Sequence, residues 1–257
     1  MSIEWYPGHI AKARREIKEH LKDVNIVIEI IDARCPISSI NFLNEEIKNK
    51  KRLIVVNKID LADENEIKKF TKDTVEKILR HEFDGEILFL DSRDNTIQKL
   101  VDKKINKICD EIYEKYEKKG IKNVALKAMV VGMPNVGKST FINSYVKKKV
   151  NKVENTPGVT KSLQWAKISD KLLLLDTPGV TVKKFENSDV GINLALVGSI
   201  NDDIVEKQDL AYEFLKKCYK QYYKLFIGRY KLKEANEESD ALFVIDEIAK
   251  NNHFYKK

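Results

Sequence analysis

The stretch Gly132-Met133-Pro134-Asn135-Val136-Gly137-Lys138-Ser139 has the spacing Gly-x4-Gly-Lys-Ser and follows the apolar run "LKAMVV" at 126–131. Such a pattern restricts the fold strongly, because its chemistry works only where a strand ends and a helix opens. The two glycines let the backbone curl until several N–H groups face inward, where phosphate oxygens can accept from them. A helix starting near Lys138 points the positive end of its dipole at the same place. Lys138 can then reach the β- and γ-phosphates, and the Ser139 hydroxyl can ligate Mg2+. Asn135, Val136, Gly137, Lys138, Ser139 and Thr140 form one candidate nucleotide-binding set, with Lys138 also a candidate catalytic group. A plain glycine turn is the alternative, and the full pattern in this context argues against it.

The surrounding chain alternates. "NIVIEIID" (25–32), "RLIVVN" (52–57), "EILFLD" (86–91) and "LKAMVVG" (126–132) read as strands. Residues 9–22 have the look of a basic amphipathic helix, and 40–50, 63–81, 96–118 and 138–148 read as helices. This alternation predicts an α/β domain with a mostly parallel sheet and helices on both faces. "SLQWAKI" (162–168) and "KLLLLD" (171–176) are separated by a tight turn and predict an antiparallel pair. Beyond residue 185 the strands stop, and 188–200, 204–227 and 240–250 read as helices. The expected organisation is an α/β domain over 1–184 and a small all-helical domain over 185–257.

With 257 residues, 42% of them hydrophobic, the chain can bury a sizeable core plus a smaller one. No run approaches the roughly 18 uncharged apolar residues of a membrane span. The start "MSIEWYPGHI" lacks an apolar signal core, so a cytosolic protein with no membrane partner is expected. Cys35, Cys109 and Cys218 are isolated and do not cluster with the four histidines, so neither a disulfide framework nor a zinc site is expected. The net charge of +7 suits an acidic partner such as nucleic acid, and equally suits a surface in which 34% of all residues are charged.

Other words extend the nucleotide chemistry. "DTPG" (176–179) ends an apolar strand: Asp176 can hold Mg2+ through water, and the Gly179 N–H can face a γ-phosphate. In "ENTPGVTKS" (154–162), Thr160 is the first choice and Thr156 the second for a switch hydroxyl on Mg2+. Thr160 and Gly179 thus join Lys138 as candidate catalytic residues. "NKID" (57–60) also ends a strand, where open α/β sheets bind nucleotides. The Asp60 carboxylate can accept from the guanine N1–H and exocyclic amine, a pairing that adenine cannot offer. Asn57 can brace neighbouring loops and touch N7, and the Lys58 stem can lie across the base. "FLDSRD" (89–94) supplies a further loop containing Ser92, where the Arg93 backbone N–H could donate to guanine O6.

The succession Asn-Lys-x-Asp, Ser-containing loop, phosphate loop, Thr, Asp-x-x-Gly resembles that of a circularly permuted GTPase, in the order G4-G5-G1-G2-G3. "WYPGHIAKA" at the start and "DARCPISS" at 32–39 are further words of the YlqF/YawG branch, the ribosome biogenesis GTPase A family. The resemblance covers about residues 5–200. It implies a P-loop GTPase fold, GTP and GDP with Mg2+, hydrolysis of GTP, and work on the large ribosomal subunit or its precursor through rRNA and ribosomal proteins. No DNA partner is expected.

The resemblance also implies roles for single residues. His9 in "PGHIAKA" matches a histidine to which a catalytic role is attributed in the family. Asn135 resembles the asparagine that helps hold K+ in potassium-dependent relatives. Val180 stands where many GTPases carry a water-orienting glutamine, which implies slow intrinsic hydrolysis stimulated by another group. In 204–227, Leu210, Phe214, Cys218, Tyr222 and Leu225 are spaced as a core stripe. Lys216, Lys217, Lys220 and Lys224, with Arg229 and Lys231 after them, are expected to offer a basic face to rRNA phosphates. The family's Gly-rich, Asp-containing C-terminal segment is replaced here by "KEANEESDALFVIDEIAKNNHFYKK". The competing reading is a GTP-regulated RNA- or protein-binding module whose hydrolysis is incidental.

Overall fold

The computed structural model describes residues 15, 17–40, 44–122, 124–146, 165–176, 188–200 and 206–252. By backbone packing the chain divides into two units, residues 4–184 and residues 185–257 together with the first three.

The larger unit holds one six-stranded sheet in the order β3-β2-β1-β4-β6-β5. Its strands are β1 (Ile26–Asp32), β2 (Lys51–Asn57), β3 (Gly85–Leu90), β4 (Leu126–Val131), β5 (Trp165–Ser169) and β6 (Leu172–Asp176). All pairings are parallel except β5 with β6. A two-residue turn joins those two, as the hairpin reading expected; the others need crossovers. Every residue of β1 is buried, which is why five of its seven residues are isoleucine or valine with no polar alternation. One face of the sheet carries Val27, Ile31, Ile54, Val56, Met129 and Leu175. Residues of the opposite parity, Ile28, Ile30, Leu53, Val55, Ala128 and Val130, are equally buried. Buried polar groups interrupt this pattern at the strand ends, at Asp32 and Asn57, and within it where Arg52 and Glu29 form a buried ion pair between adjacent strands.

Helices α1 (Pro36–Ser39) and α2 (Asn44–Ile47) lie between β1 and β2. The single helix expected over 63–81 is two, α3 (Glu64–Ile67) and α4 (Lys72–Leu79). Asp63 caps the first, and Thr71 accepts from the Thr74 N–H to start the second. Between them Phe70 turns into the core, 4% exposed. Helix α5 (Ile97–Glu117) runs against β2 and β3 with Ile97, Val101, Ile105, Ile108 and Ile112 buried at helical spacing. It packs on α6 (Lys138–Val146), where Asp102 accepts a hydrogen bond from the Tyr145 hydroxyl at 2.9 Å.

The smaller unit contains α7 (Ser188–Leu196), α8 (Lys207–Tyr230) and α9 (Ala241–Asn251). Its core is Leu215, Tyr219, Phe226, Leu232, Ala235 and Val244. The expected stripe on α8 is thus displaced: Phe214 is 39% and Leu225 70% exposed. The buried residues Leu215, Tyr219 and Phe226 keep helical spacing on a stripe one residue out of phase with the expected one, and Tyr222 itself has non-helical angles (φ −118°, ψ 22°). The loop from α8 to α9 is clasped by Glu247, whose carboxylate accepts from the N–H groups of Lys233, Glu234 and Ala235. Burial pushes that carboxyl's pKa up, but these three donors outweigh it and hold it below the usual glutamate range.

Candidate nucleotide-binding site

The strand register places Asp32, Asn57 and Leu90 side by side at the carboxyl ends of β1, β2 and β3. On the other side of β1, β4 runs directly into the phosphate loop, and Asp176 ends β6 opposite Val130. Five strand ends therefore lie along one edge, where nucleotides bind in parallel α/β folds, and three of the loops that leave them converge.

Asn57 joins them. Its Nδ2 donates to the Val136 carbonyl at 2.8 Å, and its Oδ1 accepts from the Ser92 N–H at 2.9 Å and hydroxyl at 2.8 Å. All three residues are at most 2% exposed, so no solvent competes for these bonds. The bracing expected of Asn57 is therefore visible, and Ser92 lies in the loop it braces. Gly137 completes the fit. Its φ is +100°, and an added Cβ would lie 2.3 Å from Asn57 Nδ2. Gly132 is constrained from the opposite side, where an added Cβ would meet the Ile30 carbonyl oxygen at 2.4 Å.

The phosphate loop occupies the strand–helix junction, with α6 starting at Lys138. The Lys138 ammonium folds over the loop, donating to the carbonyls of Met133 at 2.8 Å and Gly132 at 3.2 Å. Ser139 and Thr140 are exposed in the first turn of α6, as is Asn135 before it. Val136 is fully buried and acts through its backbone.

In the guanine loop, Lys58 takes left-handed backbone angles (φ 64°, ψ 39°) and caps a 3-10 turn, Ile59–Leu61, which presents Asp60. One oxygen of Asp60 accepts from the Arg93 guanidinium at 2.6 Å. The backbone N–H of Arg93, expected to donate to guanine O6, instead donates to Asp91 Oδ1 at 2.9 Å. An aspartate two residues before an N–H closes this local turn readily. Asp91 and then Asp60 raise the Arg93 pKa.

Sequence reasoning gave Asp32 and Arg34 no role. The Asp32 carboxylate is fully buried and accepts from the Arg34 N–H (3.1 Å), Nε (2.9 Å) and guanidinium nitrogen (2.7 Å), and from Lys58 Nζ (2.9 Å). Burial alone would raise its pKa, but the Arg34 and Lys58 donors lower it overall. The available signal was an acidic residue closing an apolar strand beside the strand that ends in Asn57.

Residues 127–253 match the family described as 50S ribosome-binding GTPase. Ribosome biogenesis GTPase A of Bacillus licheniformis is 43% identical, across 97% of this chain and 86% of that protein. The chain belongs to the ribosome biogenesis GTPase A family. It is a GTPase, built on the circularly permuted form of the fold. The family's member from Thermotoga maritima is 34% identical over 80% of this chain and 70% of its own length. A crystal structure titled GNP-bound YlqF from T. maritima superposes with a TM-score of 0.54 at 25% identity, covering 94% of this chain and 95% of that one. Guanine loops on β2 and β3 precede the phosphate loop on β4, the permuted order.

His9, Thr160 and Gly179 lie outside the described residues, as do Thr156 and Val180. For Asp176 only the backbone is described, as the last residue of β6. No helix among the described residues is long and apolar enough to cross a membrane. The lysines expected to face rRNA on α8 have partners within their own unit: Lys217 bonds Asp189 at 2.9 Å, Lys220 bonds Glu238 at 2.6 Å, and Lys216 lies 3.6 Å from Glu213. Their positive charge is thus partly offset locally.

Proposed function

We propose that this GTPase binds GTP and GDP at the strand-end edge and uses the cycle between them to act on the large ribosomal subunit or its precursor. The observation that carries the site is Asn57, which ties both guanine loops to the phosphate loop. Asp60 reads the guanine edge, the Lys58 stem lies along the base, and residues Asn135 to Thr140 hold the phosphates. Lys138 exchanges its two loop carbonyls for phosphate oxygens, a substitution the preformed loop permits without rearrangement. The Ser139 hydroxyl and the Asp176 position one strand away offer hard oxygen donors of the kind Mg2+ takes, with Thr160 completing the set. Bound there, Mg2+ would neutralise charge on the β- and γ-phosphate oxygens.

Ribosome biogenesis comes to this chain from the names of its relatives. Contact with rRNA is supported by the net charge of +7. Such contacts are largely to phosphates and weaken steeply with salt. A cytoplasmic location goes with that partner. Val180 cannot orient a water, so intrinsic turnover is slow and a ribosomal particle raises it, with His9 or a K+ ion held near Asn135 as the activating group.

The test is cosedimentation with purified ribosomal subunits, in GDP or a non-hydrolysable GTP analogue, with turnover measured with and without particles and potassium. Retention on large-subunit particles with the GTP analogue, and faster turnover in their presence, is the expected result. Equal retention in both nucleotides with no stimulation would favour a tether whose hydrolysis is incidental.

A further inference from the structure

The DAR word of the sequence, Asp32-Ala33-Arg34, has no part in the nucleotide chemistry described above, yet its carboxylate is the most completely bonded acidic group at the site. Each Asp32 oxygen accepts two hydrogen bonds, so the carboxylate is saturated. Three of the four donors belong to Arg34 and are local. The fourth is Lys58 Nζ, which also donates to the Asn135 carbonyl at 2.5 Å. Lys58 thus spans from a buried anion at the end of β1 to the backbone of the phosphate loop. The residue at the β1 end is held firmly. Asp32 is fully buried, and its own N–H donates to the Ser39 hydroxyl at 3.0 Å. Asn135 sits at a left-handed backbone position with φ 57°.

We propose that Asp32 is a positioning residue for guanine-nucleotide binding. Its carboxylate fixes the Lys58 side chain against the phosphate loop and so sets the spacing between the base-reading and phosphate-holding halves of the site. The inference rests on the reading of Lys58 and Asp60 as guanine-loop residues. The physical reason is preorganisation. A lysine stem has several rotatable bonds, and ordering it on binding costs affinity unless the ordering is already done. Lys58 has a single acidic partner among the described ion pairs, and that partner is Asp32. Arg34, bonding both oxygens, keeps the carboxylate aimed so that its remaining acceptor site faces Lys58. Asp32 itself touches neither base nor phosphate in this scheme; it acts through Lys58.

The experiment uses the full chain and a fluorescent GDP titration, with steady-state GTP turnover alongside. Asp32→Asn keeps the shape and removes the charge. It is expected to weaken GDP binding about tenfold, with the turnover defect falling on KM rather than kcat. Lys58→Met is expected to weaken binding at least as much. The double variant should bind no more weakly than Lys58→Met alone, since Asp32 has nothing left to act through. Losses that multiply in the double variant, or unchanged GDP affinity in Asp32→Asn, would overturn the proposal. Should Asp32→Asn fail to fold, judged by tryptophan fluorescence, Asp32→Glu in the same cycle replaces it. That variant keeps the charge but displaces it by a methylene, and its loss must likewise vanish in the Lys58→Met background. If Lys58→Met alone leaves GDP affinity unchanged, the guanine-loop reading fails and takes the inference with it. A strong effect of Lys58→Met with none from Asp32 variants overturns the inference alone.

Discussion

Replacing Gly137 by alanine attacks the point where the phosphate loop meets Asn57. The new Cβ would lie 2.3 Å from Asn57 Nδ2, so the amide must move. Moving it breaks the bond to the Val136 carbonyl and pulls Oδ1 from the Ser92 N–H and hydroxyl. Leaving such buried groups unpaired costs about 1–3 kcal/mol. Alanine at φ +100° adds about 1–2 kcal/mol of backbone strain. The sum is about 2–5 kcal/mol, a large share of a domain's roughly 5–15 kcal/mol. Gly120→Ala is the matched control: its φ is +74°, and an added Cβ meets nothing within 4 Å, so only the strain remains. Both tryptophans, Trp5 and Trp165, belong to the 4–184 unit, so urea unfolding followed by tryptophan fluorescence reports that unit. Gly137→Ala should lower the midpoint by about 1–2 M urea and Gly120→Ala by about 0.4–1 M, at unchanged slope. Equal shifts for the two variants would show that the Asn57 brace contributes nothing beyond backbone strain.

Other substitutions test separate parts of the molecule. Asp60→Asn turns one acceptor into a donor; two charge-assisted bonds to guanine are lost, so GDP affinity should fall about 10²–10³-fold while xanthosine diphosphate, with a carbonyl in place of the amine, gains affinity in competition titrations. Glu247→Gln should destabilise the helical unit at neutral pH. Because the folded carboxyl titrates below its ordinary value of 4.5, its stabilisation is full above that value and lost as pH falls through the folded pKa. Thermal midpoints of the two proteins, followed by tyrosine signals, should therefore converge on acidification; a constant gap would refute the clasp. Gly228→Ala, within α8 and with open space around the new Cβ, should stabilise the helix by about 0.5–1 kcal/mol, seen as a raised midpoint in the same melt.

The sheet was largely legible because most of its strands are short apolar runs bounded by polar or turn residues. β2 shows this in "RLIVVN", followed by Lys58, and the reading errs there by only one residue. Helix continuity was less legible. Nothing in the local pattern separates a helix crossing Phe70 from two helices meeting there; the burial of Phe70 in a core built by distant strands decides it. The stripe on α8 failed similarly. Periodicity leaves the phase open where apolar residues are dense: Leu215, Tyr219 and Phe226 form a stripe of the same spacing one residue away from the expected one, and Leu225 is left exposed. At Arg93 the backbone N–H bonds Asp91 two residues earlier, a local partner that a guanine O6 would have to replace.

The site's least readable part lies at one seam in the sheet. Strands β1, β2 and β3 carry the guanine half, and β4 and β6 carry the phosphate half; only the β1–β4 pairing joins them. Each bond that crosses this seam links residues far apart in sequence. Asn57 to Val136 spans 79 positions, and Lys58 to Asn135 spans 77. Local propensity cannot encode such pairs, so strand ends can be read one by one while their adjacency cannot. The same fact explains why a permuted order is tolerable. Cutting the chain elsewhere and joining the old ends alters connections but leaves the β1–β4 register and its cross-seam bonds intact. Substitutions at the seam should therefore harm nucleotide binding more than equally buried substitutions within either half, such as those at the Glu29–Arg52 pair, which should lower stability first and affinity only through unfolding.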